Sequence, residues 1–407
     1  MIARLLNSNK IIHKLIDNIN SGVDCSVLGV QDYVKYMIAR EYNGTVLFVA
    51  LDEATAQNLY DVWSEYDNSV RILTRFSSAD KIANNAISTL TALYNDEISV
   101  LIITPNMLVD KVAGKNSLSC STLRLSVLQE MDMSTLTKKL SDVGYERVDV
   151  CYGENQYSVL GESVEIASDK HYRVMYDYDT IQKIIEIDST TLETIKNVDS
   201  VSIEPINVTK SMDVNSYLID EVPEALIVIN GTKSVYDNLV EYIKQYNQLI
   251  GANERPCKIE EVLNRMEKLT KLAFQNLNNA NKFFAPKALF NINSLVLSNY
   301  FDNQKVLFAE IRRLSAEGYT VVIFAGDEKE KYKKLLFTLS PNVCPSVQLV
   351  ETGRINIVCK KYNGGGIFVD EKLAIYTTHS LSGCRKKVKD NIATFDAEDL
   401  PKSGDIV

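Results

Sequence analysis

The sequence predicts an α/β protein: a parallel-sheet domain interrupted by a small antiparallel α+β domain and followed by a second, smaller α/β domain. Three observations carry this. Short apolar runs, Thr45–Leu51 (TVLFVAL), Ser99–Pro105 (SVLIITP) and Ala225–Asn230 (ALIVIN), alternate with amphipathic helical stretches. That is the pattern of strands buried on both faces of a parallel sheet. Between the second and third runs, Gly144 to Asp188 changes character: Val148 and Val150, Tyr157 and Val159, then Val174, Tyr176 and Tyr178 recur with period two. This is the spacing of strands with one wet face, separated here by turn residues at 153–155 and 168–170, and it predicts an antiparallel meander. A further set of strand-like runs begins near Ser294.

In chain order, an amphipathic helix at the start ends near Asn20-Ser21-Gly22, a C-cap signal. SVLGV then leads into a helical stretch from Gln31 to about Glu41. After TVLFVAL, a helix places Leu59, Val62, Trp63 and Tyr66 on one face, so the lone tryptophan belongs to a core. Ile82, Ala86, Leu90 and Leu93 mark the next helix. Beyond the meander, Ser189 to about Val222 reads as a polar link. ALIVIN and a helix containing Val235, Leu239 and Ile243 restore the α/β pattern. Lys258 to Phe283 reads as one long helical stretch, with Ile259, Val262, Leu263, Met266 and Leu269 on one side. In the last part, Leu307, Ile311 and Leu314 share a helix face ending at Gly318. TVVIFAG is a buried strand, EKEKYKKLLFTL a charged helix, and SVQLV, INIVCK, GIFV and KLAIYTT short strands. The expected boundaries are 1–122 and 206–293 for the halves of the interrupted domain, 123–205 for the insertion, 294–390 for the last domain and 391–407 for a linker.

Composition narrows the function. In 407 residues, 45% are hydrophobic and 24% charged, as in ordinary globular domains. No run approaches the roughly 20 apolar residues of a spanning helix, and the N-terminus lacks the compact apolar core of a signal peptide. Both fit a cytoplasmic protein with no membrane partner. Seven cysteines at positions 25, 120, 151, 257, 344, 359 and 384 form no CxxC pair. That scatter fits reduced thiols better than disulfides or zinc. His13, His171 and His379 lie far apart, so no metal ligand or catalytic triad is assigned. A net charge of −9 argues against a broad nucleic-acid surface. Of a duplex-DNA clamp, the sequence shows no basic groove.

GYERVDV, a QYSVLG strand about ten residues on, and YRVMYDYDTIQKIIEID together resemble the small second domain of the excision-repair protein UvrB. They are closer still to the same domain of the bacterial transcription-repair coupling factors (Mfd). FDNQKVLFAEIRRLSAEGYTVVIFAGDEKEKYKKLL, with NGGGIFVDEKLAIYTTHSLSGCRKK, is similar to the third domain of the coupling factors, which UvrB lacks. LPKSGDIV resembles the start of their polymerase-interaction domain, so the chain reads as an N-terminal portion of a longer protein or as a shortened member. The resemblance implies a degenerate P-loop-motor-like (UvrB-like) domain, a docking domain for UvrA, and a translocase motor supplied elsewhere. RNA polymerase and DNA are implied as partners of that missing C-terminal half.

A motor of this type needs a phosphate loop, GxxxxGK followed by Ser or Thr. At the corresponding strand end this chain has DCSVLGVQDYVKY, with one glycine, no adjacent lysine and no hydroxyl in register. No catalytic residue and no cofactor is therefore expected. Asp52-Glu53 could pass for a motor's acidic pair, but a carboxylate there also caps a helix. Gly231-Thr232-Lys233-Ser234 matches only the tail of a phosphate loop, and Gly364-Gly365-Gly366 precedes a strand rather than a helix. The Arg385-Lys386-Lys387 run reads as an exposed linker cluster.

The family's UvrA-binding patch implies three anchors: an arginine in one strand, a second arginine at the start of the YRxxF strand, and an aromatic four residues after it. Arg173 retains the second; Leu160 and Asp177 stand at the other two, and Arg147 in GYERVDV is a further candidate. Neither Leu nor Asp reproduces the bidentate bonding of arginine. Arg173 reads as a partner hot spot or as a surface arginine paired with Asp177, and the changed neighbours tilt the balance to the second. The resemblance and these residues together predict a non-catalytic recruitment module with weakened or altered UvrA affinity. Its rival is a nucleotide-dependent helicase or ATPase with an atypical phosphate loop.

Overall fold

The structure is a computed structural model describing residues 10–30, 32–64, 67–75, 81–168, 170–206, 212–249, 255–275, 281–295, 297, 304–325, 344, 350–358 and 365–377. The chain divides into two compact units, residues 2–293 and a second from Ser294 onward.

The first unit begins with α1 (Lys10–Asn20), which buries Ile12, Leu15 and Ile19. It ends where Gly22 takes φ 76°. The Val23 N–H then reaches back to the Asn18 carbonyl at 2.9 Å, closing the last turn in a conformation that favours glycine. There follow β1 (Cys25–Leu28), α2 (Asp32–Arg40), β2 (Val46–Val49), α3 (Glu53–Trp63), β3 (Val70–Leu73), α4 (Lys81–Tyr94) and β4 (Val100–Ile103). Every residue of β2 and β4 is buried, because helices cover both faces of the sheet. Asp52 caps α3, its carboxylate accepting the Thr55 N–H at 2.7 Å. That backbone bond holds the carboxyl below its ordinary pKa.

After β4 the chain leaves the sheet through β5 (Lys111–Val112) and α5 (Lys115–Ser121), and the insertion begins. It comprises β6 (Leu123–Ser126), α6 (Met133–Asp142), β7 (Glu146–Arg147), β8 (Gln156–Leu160), β9 (Ser163–Ala167), β10 (His171–Asp177), β11 (Thr180–Ile187), β12 (Thr194–Val198) and β13 (Ser200–Ile203). Strands run in the order β12-β11-β10-β9-β8-β7, and β6 pairs with β13 in a separate ribbon. All neighbours in the six-stranded sheet are antiparallel except β7 and β8. Leu136 and Leu140 of α6 and Leu125, Val201 and Ile203 of the ribbon pack on one face of this sheet. They meet Tyr157, Val164, Ile166, Tyr172, Val174, Tyr176, Ile181 and Ile184.

The chain returns through β14 (Ser216–Tyr217), which pairs with β5, and α7 (Leu218–Glu221). It then adds β15 (Leu226–Asn230), α8 (Thr232–Leu249), α9 (Ile259–Met266), β16 (Thr270–Gln275) and β17 (Ala288–Asn291). The completed sheet, among the described residues, has the order β17-β1-β16-β15-β2-β4-β3. All its pairings are parallel. The insertion therefore lies between two strands of one sheet, β4 and β15, which flank β2.

The second unit has β18 (Ser294–Leu295), α10 (Gln304–Ala316), β19 (Thr320–Phe324), β20 (Ile355–Val358), β21 (Gly366–Phe368) and β22 (Leu373–Thr377), in the order β18-β21-β22-β19-β20. Leu307, Ile311 and Leu314 of α10 pack on Val321 and Ile323, as their spacing predicts.

Several expectations need correction. Lys258 to Phe283 is not one helix: α9 stops at Met266, and β16 follows as a strand between β1 and β15. Lys271 makes this switch, its ammonium donating to the Leu269 carbonyl at 2.7 Å and pairing with Asp24 at 3.4 Å. Residues 189–222 are not a featureless link, since β12, β13, β14 and α7 lie there. Val148 and Val150 fall just outside β7, which runs parallel to β8 rather than antiparallel. Tyr178 does not share the buried face of Val174 and Tyr176; it sits at φ 54° in the β10–β11 turn, 93% exposed. Tyr66, the EKEKYKKLLFTL helix, the SVQLV strand, Gly364, the Arg385-Lys386-Lys387 run and the 391–407 linker lie outside the described residues.

Candidate functional site

Two places could carry function: the C-terminal edge of the parallel sheet, where a motor would hold phosphate, and the outer face of the inserted sheet.

At the first, β1 ends in Gly29, at φ 74°. A Cβ there would lie 2.6 Å from the Ile292 carbonyl oxygen, so glycine is required for the close approach of β17 as well as for the backbone angle. The Gly29 N–H is directed at the Gln275 carbonyl, 3.3 Å away. Sequence reasoning missed Lys35, which lies one turn into α2 and is nearly buried. Its ammonium donates to Asp32 at 2.7 Å and to Asn230, at the end of β15, at 2.9 Å. Thr232 is buried and Lys233 exposed at the start of α8. The Gly231 N–H donates to the Phe274 carbonyl at 2.9 Å, so this is a strand-to-helix turn that ties β15 to β16.

At the second, the pairing register arranges side chains in rows across the outer face. One row runs Leu160, Ser163, Met175, Lys183; the next runs Ser158, Glu165, Arg173, Ile185. Asp177 continues β10 beyond Met175. Arg173, Leu160 and Asp177 thus share one face. Arg147 does not: it pairs with Tyr157, in the row of Ile166 and Tyr172 that faces the core, and is exposed only because β7 is the sheet edge.

The expected Arg173–Asp177 pairing is incorrect. Four residues along a strand place the two about 13 Å apart. Arg173 instead donates to Glu165, directly opposite on β9, through Nε at 2.8 Å and Nη2 at 2.6 Å. The arginine side chain is 30% exposed and the glutamate 1%, so the pair is a partly buried structural bond whose guanidinium still reaches solvent. Leu160 (48%) and Met175 (37%) are exposed beside it, at the tip of the β8–β9 hairpin and on β10. They are flanked by Arg173 and by Lys183, the residue opposite Met175, and Met and Arg are among the residues enriched at protein interfaces.

Further along the same face Cys151, Glu165 and His171 converge. All three are buried, and their ligand atoms lie within 4.8 Å of one another. Burial pushes the Cys151 thiol above its ordinary pKa and the His171 imidazole below its own. Sequence spacing gave no sign of this cluster, because strand register, not a short motif, assembles it.

An α/β domain with a small, largely antiparallel domain set into its parallel sheet is the class that this architecture defines. Residues 123–208 match the family model of the UvrB interaction domain. The UvrABC system protein B of Streptococcus pyogenes serotype M2 is 25% identical over 209 residues, covering 44% of this chain and 32% of that protein. Its counterpart from serotype M5 is 24% identical over 213 residues, with the same coverage. The chain carries a UvrB-like module, and it spans about a third of the length of these relatives, 32%. Among solved structures, a DEAD box protein from the hyperthermophile Methanococcus jannaschii overlaps 88% of this chain and 80% of that one at 9% identity. Its TM-score of 0.32 is too low for the likeness to carry weight. No helix among the described residues is long and apolar enough to cross a membrane.

Proposed function

We propose that this chain is a non-catalytic recruitment module of nucleotide excision repair that docks UvrA through the outer face of its inserted sheet. In this reading it is the N-terminal part of a transcription-repair coupling factor. The rest of that protein supplies the translocase motor and the contacts to stalled RNA polymerase and DNA. The observation that carries the proposal is the match of residues 123–208 to the UvrB interaction domain. The exposed strip of Leu160 and Met175 beside Arg173 is the surface offered to the partner.

Leu160 stands where the family patch has an arginine, so docking loses one charge-assisted anchor and is weak. Full-length chain immobilised on a sensor is expected to retain UvrA, and Leu160→Arg to tighten the complex about tenfold, the equivalent of one modest interface contact. If UvrA ignores both the native chain and Leu160→Arg, the docking proposal fails.

The module also does without nucleotide. The Gly29 N–H faces the Gln275 carbonyl and Lys35 is engaged by Asp32 and Asn230. The groups nearest the expected phosphate position are therefore committed within the protein. Calorimetry with ATP and magnesium is expected to be silent, and micromolar binding would restore the ATPase reading.

A further inference from the structure

The geometry points to a zinc-type metal site on the inserted sheet, with Cys151 Sγ, Glu165 Oε2 and His171 Nε2 as its protein ligands. The site stands independently of the docking proposal. Three buried side chains of the sulfur, carboxylate and imidazole types bring their ligand atoms within 4.8 Å of one another. Tetrahedral ligands at about 2.0–2.3 Å from one zinc ion lie about 3.3–3.8 Å apart. Contraction of about an ångström therefore closes the set around an ion. Mixed thiolate, imidazole and carboxylate donors suit zinc, or cobalt in its place, better than calcium or magnesium, which prefer oxygen alone.

Two of the three ligand atoms have no other employment. Glu165 Oε2 and His171 Nε2 are buried with no hydrogen-bond partner among the described residues. A buried polar atom left unpaired is costly and needs an explanation; an ion between the two is one. The third, the Cys151 thiol, makes a long contact to the Glu165 carbonyl at 3.8 Å and lies beside the Ser158 hydroxyl.

The surroundings position the ligands. Arg173 bonds Glu165 through Oε1 alone, which orients the carboxylate and leaves Oε2 for the ion, the arrangement of an outer-shell partner. Gln156 accepts the N–H groups of Tyr152 and Gly153 at 3.3 and 3.1 Å, fixing the loop that carries Cys151. Ser158, opposite Glu165 in register, places a hydroxyl beside the thiol and supplies the fourth ligand, an oxygen, directly or through water. Cys151 releases its proton to solvent on binding, so thiolate and carboxylate balance the double charge of the ion. The ion ties the β7–β8 loop to β9 and β10 through three buried side chains.

The test uses untagged full-length chain stripped with chelator and titrated with cobalt(II). One equivalent is expected to produce a thiolate-to-cobalt charge-transfer band in the near ultraviolet together with visible bands of four-coordinate intensity. Zinc is expected to bleach both. Cys151→Ser is expected to abolish the charge-transfer band, whereas Cys120→Ser and Cys257→Ser keep it. His171→Gln is expected to weaken zinc binding at least tenfold. A native chain that gives no such band, or a band that survives Cys151→Ser, overturns the site. Should Cys151→Ser fail to fold, the native spectrum decides with the two control variants, because loss of the band in either control assigns the thiolate elsewhere.

Discussion

Arg173→Ala is expected to cost about 2–4 kcal/mol of stability, measured by chemical denaturation. The value follows from what is left behind rather than from the bond removed. Glu165 is 1% exposed and Arg173 is its ion-pair partner, so truncating the arginine strands a carboxylate where water cannot reach it. Breaking a buried pair from one side costs about 3–5 kcal/mol, and the partial exposure of Arg173 lowers that figure. Glu165→Gln in the same background removes the stranded charge and is expected to recover at least half of the loss, giving a coupling energy above about 1 kcal/mol. Additive single effects would show that the pair contributes nothing beyond its members. The same reasoning governs any docking experiment. An Arg173→Ala variant that fails to hold UvrA has lost its sheet geometry as well as its cation, so the exposed Leu160 is the informative position to change.

Much of this architecture was legible in the sequence, for definable reasons. Runs such as Val46–Val49 and Val100–Ile103 are apolar throughout because both faces of a central parallel strand are covered. Val174 and Tyr176 alternate with Arg173 and Met175 because β10 has one covered face. Local composition misled where tertiary contacts override it. Ile259 to Leu269 keeps a helical apolar spacing beyond the end of α9, and only the sheet neighbours β1 and β15 reveal that Thr270–Gln275 is a strand. In β12, residues Thr194–Asn197 are all exposed, so pairing with β11 rather than burial defines it, and no periodicity announces an edge strand of that kind. The outer-face cluster was illegible for a related reason. Arg173 and Glu165 are eight residues apart, and Cys151 and His171 twenty. They meet through the pairing register of β8, β9 and β10 rather than through any motif. A carboxylate in SVEIA looks like the wet position of an ordinary strand until its neighbour proves to be an arginine.

Trp63→Ala is expected to be the most damaging single change in the parallel-sheet domain, at about 3–5 kcal/mol. Trp63 ends α3 and is 1% exposed. Its ring stands edge-on to Phe48 of β2 at 4.9 Å between centroids and lies tilted against Tyr36 of α2 at 5.2 Å. Phe48 in turn meets Phe274 of β16 at 6.4 Å. Trp63 therefore joins two helices to β2, and Phe48 carries the aromatic cluster across β15 to β16; removal of the indole leaves a cavity in a close-packed core. Trp63→Phe keeps an aromatic edge and is expected to cost less than half as much. As the chain has one tryptophan, its emission reports this core alone, blue-shifted in the folded protein and red-shifted when the sheet opens. Urea titration followed by that emission gives the native stability, and circular dichroism follows the variants that lack the fluorophore. Because the insertion has its own core around Leu136, Ile166 and Val174, a second transition at higher denaturant is expected to persist in Trp63→Ala. Loss of both transitions together would mean that the inserted sheet depends on the domain that carries it.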